Sequence, residues 1–569
     1  MDKTNDAYNR WLESPSVSDE LKETLKKMSK SERDDAFFRD IEFGTAGMRG
    51  VLGPGTNRLN EFTVKKATVA FGYYLLKTFP DAKERGVAIS HDNRYFSREF
   101  TLESARLLNE LGIKSYIFDS LRPTPELSFA VRRLHACGGI MITASHNPKE
   151  YNGYKVYDEN GCQLVPERFV GLLEEINKLP DELSIEFTPA AVKGENIILD
   201  SQIDDEYVAL VEGTQINPDL PKKGFKIVYS PQHGTSYENA IRVFKDCGYE
   251  VIPVLKQCNH DSNFGGTKSP NPENPEAYEE SIKLAEQYKA HLIVMTDPDG
   301  DRVGVAYRAK DGSYRRFTGN QSAALLIDYI LSERRRKGTL PKDGVMYDTV
   351  VTSDLGRKIA ASYGLSVESF LTGFKFIGDR IAHYEKEGKG PEFVFGYEES
   401  YGCLISPFVR DKDGIQAILL YCEMALWHHL GNTPLDLAYN ALLERYGGHY
   451  SFNDSLEFTG SDGAEKMKSM MDALHKDAPK SIAGTKVARV EDYFTGLAID
   501  ENGKSEELLL PKSEVVKIIL EDGSWVAIRP SGTEPKIKFY VEAVAEGACD
   551  LEAKAKELSK NIKKELGIR

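Results

Sequence analysis

The hydrophobic and polar positions of this chain follow the spacing of strands and helices in alternation. After an amphipathic helical segment in the first 40 residues, the pattern predicts strands over 85–92, 114–119 and 138–143, with helices over 97–111 and 125–135 between them. Strands that alternate with helices in this way form largely parallel sheets. We therefore expect an α/β domain in the first part of the chain.

The same alternation begins again at residue 224 and near residue 320, as a repeat of pattern and not of residue identity. Beyond a linker-like stretch at 447–451, the chain becomes strand-rich and ends in a charged helix. We predict an α/β architecture of four domains. Three similar mixed α/β domains would span 1–205, 206–320 and 321–446, and a C-terminal α+β domain would span 447–569.

Each α/β segment has an apolar strand whose carboxyl end carries a polar loop of unusual composition. These loops are ASHNP (144–148), DPDGDR (297–302) and YEES (397–400). Because the ligands of open α/β sheets bind beyond the carboxyl ends of strands, we expect the three loops to face one shared cleft.

Composition and charge limit the classes of function. Of the 569 residues, 41% are hydrophobic and 28% are charged, which is enough for several cores. The formal net charge of -15 argues against a nucleic-acid partner, so an anionic substrate would have to be held by local cationic pockets.

The seven cysteines form no CxxC pair, and we expect reduced thiols, with neither a disulfide framework nor a zinc site. The sequence has no signal segment and no apolar run near the roughly 20 residues that span a bilayer, so we expect a cytoplasmic protein with no membrane partner.

The DPDGDR loop has the composition of a site for a hard divalent cation. It places Asp297, Asp299 and Asp301 at alternate positions, and the intervening proline and glycine favour a tight turn that would direct the carboxylates inward. Three carboxylates this close repel one another unless a cation joins them, and Mg²⁺ would keep open positions for phosphate or water. An EF-hand does not fit, because arginine occupies the sixth and twelfth positions, where that loop needs glycine and glutamate. The alternative is a solvated acidic turn.

The ASHNP loop offers Ser145 and His146, and an aromatic, glycine-containing stretch follows it. A loop serine is usually a turn or capping residue, and no GxSxG motif is present, so this segment alone leaves a nucleophilic role open. A phosphorylated Ser145 would carry about -1.5 to -2 charges and would supply an oxygen ligand to the metal. We therefore treat the serine and the three aspartates as one hypothesis, a phosphate carrier beside a metal site.

Several other loops suit a sugar phosphate. Glu398 and Ser400 alternate at a strand end and could hold neighbouring sugar hydroxyls, with an acidic strand terminus as the alternative. In TGFKFIG (372–378), Lys375 precedes a helix, where a cation could orient a sugar or a phosphate. RPSGTEPKIK (529–538) concentrates arginine, hydroxyl groups and glycine between two strands, which favours a phosphate-binding loop over an ordinary hairpin. The glycine-rich stretch FGTAGMRG (43–50), with Arg49, is similar but less specific, and without a P-loop or GxGxxG motif no nucleotide site is predicted.

Four motifs in order, TASHNP, DPDGDR, GYEES and RPSGTEPK, resemble the α-D-phosphohexomutase superfamily in its long phosphoglucomutase branch. The resemblance extends over nearly the whole chain. It implies four domains around a central cleft, the first three alike and the last similar to the TATA-binding-protein fold. It also implies one Mg²⁺ per chain, a sugar-phosphate substrate, glucose 1,6-bisphosphate as intermediate and activator, and a monomer or homodimer.

The resemblance implies a role for each candidate residue. Ser145 would carry the phosphate, and a phosphoserine oxygen would complete the Mg²⁺ site of Asp297, Asp299 and Asp301. Catalysis would also use Arg49, His146 and Lys155, with Lys155 or His146 as the proton shuttle. The substrate-binding residues would be Arg302, Thr372, Gly373, Lys375, Glu398, Ser400, Arg529, Ser531, Gly532 and Thr533.

The implied reaction interconverts glucose 1-phosphate and glucose 6-phosphate through a phosphoserine enzyme. The EES sequence favours glucose, whereas the FGTAGMRG opening and the chain length are also typical of phosphopentomutase-like relatives. A phosphomannomutase, a phosphopentomutase or a glucose 1,6-bisphosphate synthase therefore stays open, as does a simple phosphatase. A catalytically silent sugar-phosphate sensor is disfavoured, because the nucleophile and all three metal ligands are present.

Overall fold

The computed structural model describes residues 3–44, 47–458, 463–531, 536–547 and 549–567. The chain divides into two compact units. Unit 1 comprises residues 1–319, 374–396 and 400–427, and unit 2 comprises residues 320–373, 397–399 and 428–569. The four domain boundaries expected from the sequence stay a prediction.

The helices include three in the amphipathic opening segment, which is helical as predicted, and others that alternate with strands along the chain. They are α1 (Lys3–Glu13), α2 (Asp19–Lys27), α3 (Lys30–Phe37), α4 (Glu61–Thr78), α5 (Ala82–Arg85), α6 (Ser97–Glu110), α7 (Thr124–Arg133), α8 (Pro166–Lys178), α9 (Ser201–Glu212), α10 (Tyr237–Asp246), α11 (Glu279–Tyr288), α12 (Gly319–Lys337), α13 (Asp354–Ser362), α14 (Lys375–Glu387), α15 (Gly414–Leu430), α16 (Leu435–Tyr446), α17 (Gly463–Lys476) and α18 (Leu551–Glu565). Short 3-10 turns lie at Leu255–Gln257 and Pro275–Tyr278.

The described strands are longest near the C-terminus, where two of them have 10 residues each. They are β1 (Met48–Val51), β2 (Val87–His91), β3 (Ser115–Phe118), β4 (Gly138–Ile142), β5 (Tyr151–Tyr157), β6 (Asn196–Leu199), β7 (Lys226–Ser230), β8 (Glu250–Pro253), β9 (Leu292–Thr296), β10 (Val303–Arg308), β11 (Tyr314–Arg316), β12 (Gly344–Thr349), β13 (Ser366–Phe370), β14 (Glu392–Glu398), β15 (Gly402–Leu404), β16 (Gly448–Glu457), β17 (Ser481–Ile482), β18 (Thr485–Asp492), β19 (Leu497–Asp500), β20 (Ser505–Glu507), β21 (Val516–Leu520), β22 (Trp525–Pro530) and β23 (Lys536–Ala545).

Unit 1 contains two mixed sheets of similar plan. The first has the strand order β1-β5-β4-β2-β3-β6 and the second the order β11-β10-β9-β7-β8. Within each sheet the strands that alternate with helices pair in parallel, as predicted. Every residue of β2, β4 and β9 is buried, which is typical of parallel strands that helices cover on both faces.

The two sheets of unit 1 are less parallel than the sequence pattern suggests, because the functional loop in each leads into an antiparallel strand. The ASHNP loop joins β4 to β5, and the DPDGDR loop joins β9 to β10. The stretch after Ser145, expected only as an aromatic, glycine-containing segment, is therefore the strand β5. Gly153 permits this pairing, since a Cβ atom there would lie 2.4 Å from the carbonyl oxygen of Thr143.

Unit 2 combines a parallel pair, β12 and β13, with an antiparallel sheet in the order β16-β23-β22-β21-β18-β19-β20, to which β17 adds by pairing with β18. Apolar residues of α17 and α18 pack on this sheet and form one core with it. The strand-rich, helix-terminated C-terminal part is thus α+β, as predicted. Within the described ranges, no helix is long and apolar enough to cross a membrane.

Candidate active site

Ser145 and Asp297 meet where two sheets of unit 1 present the carboxyl ends of β4 and β9. The hydroxyl of Ser145 donates a hydrogen bond to Oδ2 of Asp297 at 2.6 Å. Its oxygen also lies 3.1 Å from Nδ1 of His146. The ASHNP and DPDGDR loops therefore share one site, as their positions at strand ends predict.

The main chain of Ser145 is held in an unusual conformation. Its φ angle of 52° lies in the left-handed region, which costs a residue with a side chain roughly 1–2 kcal/mol. The amide of Ser145 donates to Oγ1 of Thr143 at 2.8 Å, and the carbonyl of Ser145 accepts from Arg94 at 2.6 Å. These bonds offset the strain and fix the direction of a side chain that is only 3% exposed.

The DPDGDR loop is a tight turn that gathers its three carboxylates. Gly300 adopts a φ of 74°, and its amide donates to the carbonyl of Asp297 at 3.1 Å. The amides of Asp301 and Arg302 donate to Oδ1 of Asp297 at 3.2 and 3.0 Å. One ligand atom from each of Asp297, Asp299 and Asp301 lies within 4.8 Å of the other two, and all three residues are buried.

Two lysines neutralise part of this acidic cluster. Nζ of Lys155, on β5, lies 2.9 Å from Oδ2 of Asp299. Nζ of Lys412 lies 3.2 Å from Oδ2 of Asp301. Both lysines are buried, so their ion pairs act in a medium of low dielectric constant and hold the carboxylates strongly.

The aspartate cluster fits a hard divalent cation. Among the residues that the structure describes, Oδ1 of Asp299 and Oδ1 of Asp301 are buried without a hydrogen-bond partner. Buried carboxylate oxygens without donors are costly unless a cation compensates them. An all-oxygen donor set of this kind suits Mg²⁺ better than Zn²⁺.

The pKa values of two aspartates in the cluster shift in opposite directions. Burial, together with repulsion from Asp299 and Asp301, raises the pKa of Asp297 well above its usual value. Burial is the largest influence on Asp299 and acts to raise its pKa, but Lys155, a hydrogen bond with Asp297 and the charge of Lys412 together outweigh it and hold that pKa well below its usual value. A bound cation would favour the charged form of all three carboxylates.

The other candidates of unit 1 lie on its strands, loops and helices. Arg49, on β1, donates from Nη1 to Oδ1 of Asn147 in the serine loop at 3.1 Å. Arg302 donates to Oε1 of Glu273 at 2.9 Å. Lys375 is buried at the first residue of α14, and Ser400 is half-buried beyond the end of β14.

The remaining candidates belong to unit 2. Oε1 of Glu398 accepts a hydrogen bond from the amide of Gly373 at 2.8 Å, so two predicted sugar-binding residues are in contact. Thr372, which precedes this glycine, is half-buried. Arg529 lies on β22, and the amide of Ser531 donates to the carbonyl of Lys536 at 2.7 Å. Gly532 and Thr533 lie outside the described residues.

Sequence reasoning missed Lys412 and Arg94. Lys412 belongs to the charged stretch RDKDG (410–414), whose density of buried charges is a signal that the motif search passed over. Arg94 is the third residue after the end of β2, a strand of the same sheet as β4, which leads into the serine loop. The rule that functional side chains follow strand ends would have selected it, had it been applied to β2 as well as to β4.

Family models match four successive segments of the chain. Phosphoglucomutase/phosphomannomutase models match α/β/α domain I over 40–182, domain II over 205–311, domain III over 318–446 and the C-terminal domain over 476–557. A phosphoglucomutase of Staphylococcus epidermidis is 36% identical over 542 residues, which cover 94% of this chain and 96% of that protein. The chain belongs to the phosphoglucomutase/phosphomannomutase family.

Solved structures of other family members share the fold. Paramecium pp63/parafusin, a phosphoglucomutase in an open form, aligns with a TM-score of 0.67 at 20% identity over 92% of this chain and 94% of that chain. A Burkholderia thailandensis protein of the phosphoglucomutase/phosphomannomutase family aligns with a TM-score of 0.63 at 21% identity over 92% and 97%. Together with the four domain matches, these likenesses confirm three α/β domains followed by a C-terminal domain. The resemblance inferred from the motifs is confirmed, and family membership makes this protein an enzyme, a mutase.

Proposed function

We propose that the protein is a phosphoglucomutase that interconverts glucose 1-phosphate and glucose 6-phosphate, with Ser145 as the phosphate carrier. The observation that carries the proposal is the 2.6 Å contact of the Ser145 hydroxyl with Asp297, inside a buried carboxylate cluster. The 36% identity to a phosphoglucomutase over nearly the full length of both chains supports the choice of reaction.

The reaction begins with Ser145 phosphorylated. The bond between Oγ and phosphorus breaks and a new bond forms between phosphorus and a free hydroxyl oxygen of the sugar monophosphate, while the hydroxyl proton passes to a base and Oγ takes up a proton. The product is glucose 1,6-bisphosphate. In the second step the bond between its other phosphorus and the sugar oxygen breaks, that phosphoryl group is transferred to Oγ of Ser145, the Oγ proton passes to a base and the sugar oxygen is protonated. His146, with Nδ1 3.1 Å from that oxygen, and Lys155 are the proposed proton carriers.

We assign one Mg²⁺ per chain to Asp297, Asp299 and Asp301, with a phosphoserine oxygen as a further ligand. When bound, the ion supplies positive charge that stabilises the transferring phosphoryl group. Lys155 forms an ion pair with Asp299 and Lys412 forms one with Asp301, so both add fixed positive charge to the metal site. Positioning and charge of this kind are the main sources of catalysis in phosphoryl transfer.

The substrate-binding roles follow from side-chain chemistry. Glu398 would accept hydrogen bonds from sugar hydroxyls, Arg529 and Ser531 would bind the phosphate that is not being transferred, and glucose 1,6-bisphosphate would act as activator. Thr372, Gly373, Lys375, Ser400, Arg302, Gly532 and Thr533 complete the proposed set. We also propose the four domain boundaries after residues 205, 320 and 446, which are compatible with the matched family segments.

A comparison of sugar phosphates tests the proposal. The purified protein, with Mg²⁺ and a trace of glucose 1,6-bisphosphate, is incubated in parallel with the 1-phosphates of glucose, mannose and ribose, and the products are followed by ³¹P NMR. We expect glucose 1-phosphate to be isomerised at least ten times more efficiently than the other two. Ser145→Ala is the matched control and should form no product.

Other outcomes would contradict parts of the proposal. Faster turnover of mannose or ribose 1-phosphate would make the protein a phosphomannomutase or phosphopentomutase. Accumulation of inorganic phosphate would indicate a phosphatase, and net accumulation of bisphosphate would indicate a synthase. Binding of all three sugar phosphates without turnover would indicate a sugar-phosphate sensor without catalytic activity.

A further inference from the structure

Arg94 makes an unusual number of contacts with the loop that carries Ser145. This arginine follows β2 and is 3% exposed. Its Nη2 atom donates to the carbonyl oxygens of Ser145 and Asn147, both at 2.6 Å. Its Nη1 atom donates to the carbonyl oxygens of Pro148 and Tyr151 at 2.8 and 2.9 Å. One guanidinium group thus binds four carbonyls between the end of β4 and the start of β5.

Arg94 is itself fixed from both sides. Nε lies 3.1 Å from Oδ2 of Asp92, and Oδ1 of Asp92 accepts from the amide of Arg94 and from the hydroxyl of Ser97. Oδ2 of Asp92 also accepts from Oγ1 of Thr143 at 2.7 Å, the hydroxyl that receives the Ser145 amide. On its other face, the guanidinium lies 5.2 Å from the ring centroid of Phe264.

This arrangement suits an arginine and no other side chain. The guanidinium is planar and carries five N–H donors in fixed directions, so it can bind several carbonyls at once. A lysine has three donors around one atom and cannot reach four carbonyls spread over seven residues in the same way. Both Nη atoms of Arg94 donate to loop carbonyls, so these donors are not directed at a substrate phosphate.

We propose that Arg94 is a positioning residue for phosphoryl transfer, which holds the loop from Ala144 to Tyr151 so that Oγ of Ser145 stays at the aspartate cluster. The inference rests on the proposed function in taking Ser145 as the phosphate carrier. Arg94 acts through the main chain of the loop. It therefore affects the rate of transfer and leaves the binding of the sugar phosphate unchanged.

The kinetic test compares Arg94→Lys and Arg94→Gln with a matched control, Arg98→Gln. Arg98 lies on the neighbouring helix α6 and donates to the carbonyl of Phe118, outside the serine loop. At saturating Mg²⁺, both Arg94 variants should lose ten- to a hundredfold in kcat with glucose 1-phosphate, while KM stays within twofold of wild type. The control should keep both constants within twofold. A raised KM with an unchanged kcat would overturn the inference, because it would indicate a substrate contact.

Hydrogen exchange provides a readout that does not need activity. Exchange of the main-chain amides in a peptide covering 144–152 should be at least tenfold faster in both Arg94 variants and unchanged in Arg98→Gln, with β4 and β9 still protected in all. Should the Arg94 variants not fold, Phe264→Leu keeps the arginine, removes the ring beside it, and should speed the same exchange severalfold. Unchanged exchange of the loop overturns the inference whatever the kinetics. A wild-type protein without mutase activity would contradict the proposed function, while the exchange comparison would still decide whether Arg94 holds the loop.

Discussion

The hydroxyl of Ser145 donates to Oδ2 of Asp297 while the amides of Asp301 and Arg302 donate to Oδ1 of the same carboxylate. Phosphorylation of Ser145 would remove the hydroxyl donor and place about two negative charges beside three carboxylates. Such a group can remain there only if positive charge compensates it. The phosphate on Ser145 and a cation on the aspartates should therefore stabilise each other, because thermodynamic coupling is reciprocal.

Ser145→Ala should abolish mutase activity and leave the fold intact, because the serine is the proposed carrier and alanine fits its buried site. Intact-mass measurement after incubation with glucose 1,6-bisphosphate should show one added phosphate on the wild type and none on the variant. Ser400→Ala, which removes a hydroxyl proposed to bind sugar, should still accept the phosphate. A phosphate that maps to a residue other than Ser145, or an active Ser145→Ala, would contradict the mechanism.

Asp297→Asn, Asp299→Asn and Asp301→Asn should each lower kcat/KM by about a hundredfold or more, since a lost metal ligand removes several kcal/mol of charge stabilisation. Asp297→Asn also relieves repulsion within the buried cluster, so its thermal stability in excess chelator should be equal to or above that of the wild type. Asp299→Asn and Asp301→Asn each leave a buried lysine without its ion-pair partner, so they should lower Tm but remain folded. Asp311→Asn is the control, because Asp311 is an exposed acidic residue in the turn between β10 and β11. Wild-type turnover in chelator, or unfolding of the asparagine variants, would show that the aspartates serve a structural role instead.

The sequence predicted the parts of this site that lie at the ends of apolar strands and missed those that depend on long-range pairing. Ser145 and the three aspartates follow β4 and β9 directly, and local pattern is enough to find them. Lys412 reaches Asp301 from a distant segment, and β5 exists because it pairs with β1 and β4. No local spacing encodes such contacts, so neither the ion pair of Lys412 with Asp301 nor the pairing of β5 could be derived from the sequence pattern.

Unit 2 contains a buried lysine, Lys517, that the motif analysis did not select. Nζ of Lys517 lies 4.1 Å from the ring centroid of Trp525 and donates to the carbonyl of Val350 at 2.8 Å. Burial and the nearby Arg357 lower the pKa of Lys517 to about 8, although Asp354 acts in the opposite direction. Folding therefore shifts the protonation equilibrium of Lys517 towards the neutral amine, relative to the unfolded chain.

The stability of unit 2 should accordingly depend on pH through Lys517. Its folded pKa of about 8 lies below the usual 10.5, so the unfolded chain binds more protons between these values and stability rises with pH across this range. A difference of this size corresponds to roughly 3 kcal/mol, which is lost in full below pH 8. Thermal unfolding from pH 7 to pH 10.5 should show a rise in Tm for the wild type relative to Lys517→Met. Lys486→Met, at an exposed lysine on β18, should follow the wild type. Parallel pH profiles for the wild type and Lys517→Met would contradict the assignment.

Substitution of Arg529 tests whether the C-terminal domain binds the phosphate that is not being transferred. A mutase must present first one end and then the other end of its bisphosphate to a single serine, so the phosphate that is not being transferred needs a holder. Arg529 is half-buried near the end of β22 and is the first residue of the RPSGTEPK segment, which concentrates phosphate-binding side chains. Loss of one charge-assisted contact to phosphate costs roughly 2–3 kcal/mol.

Arg529→Ala should therefore lower kcat/KM some tens- to a hundredfold. It should also release more free glucose 1,6-bisphosphate per turnover, because the bisphosphate would reorient without the contact between Arg529 and its phosphate. The phosphorylation of Ser145 by added bisphosphate should still reach one phosphate per chain, which separates a binding defect from damage to the carrier. Arg489→Ala, at a partly exposed arginine on the same sheet that pairs with Glu491 and Glu506, is the matched control and should behave as wild type in both measurements. Wild-type values of kcat/KM and of released bisphosphate in Arg529→Ala would show that Arg529 does not hold the phosphate.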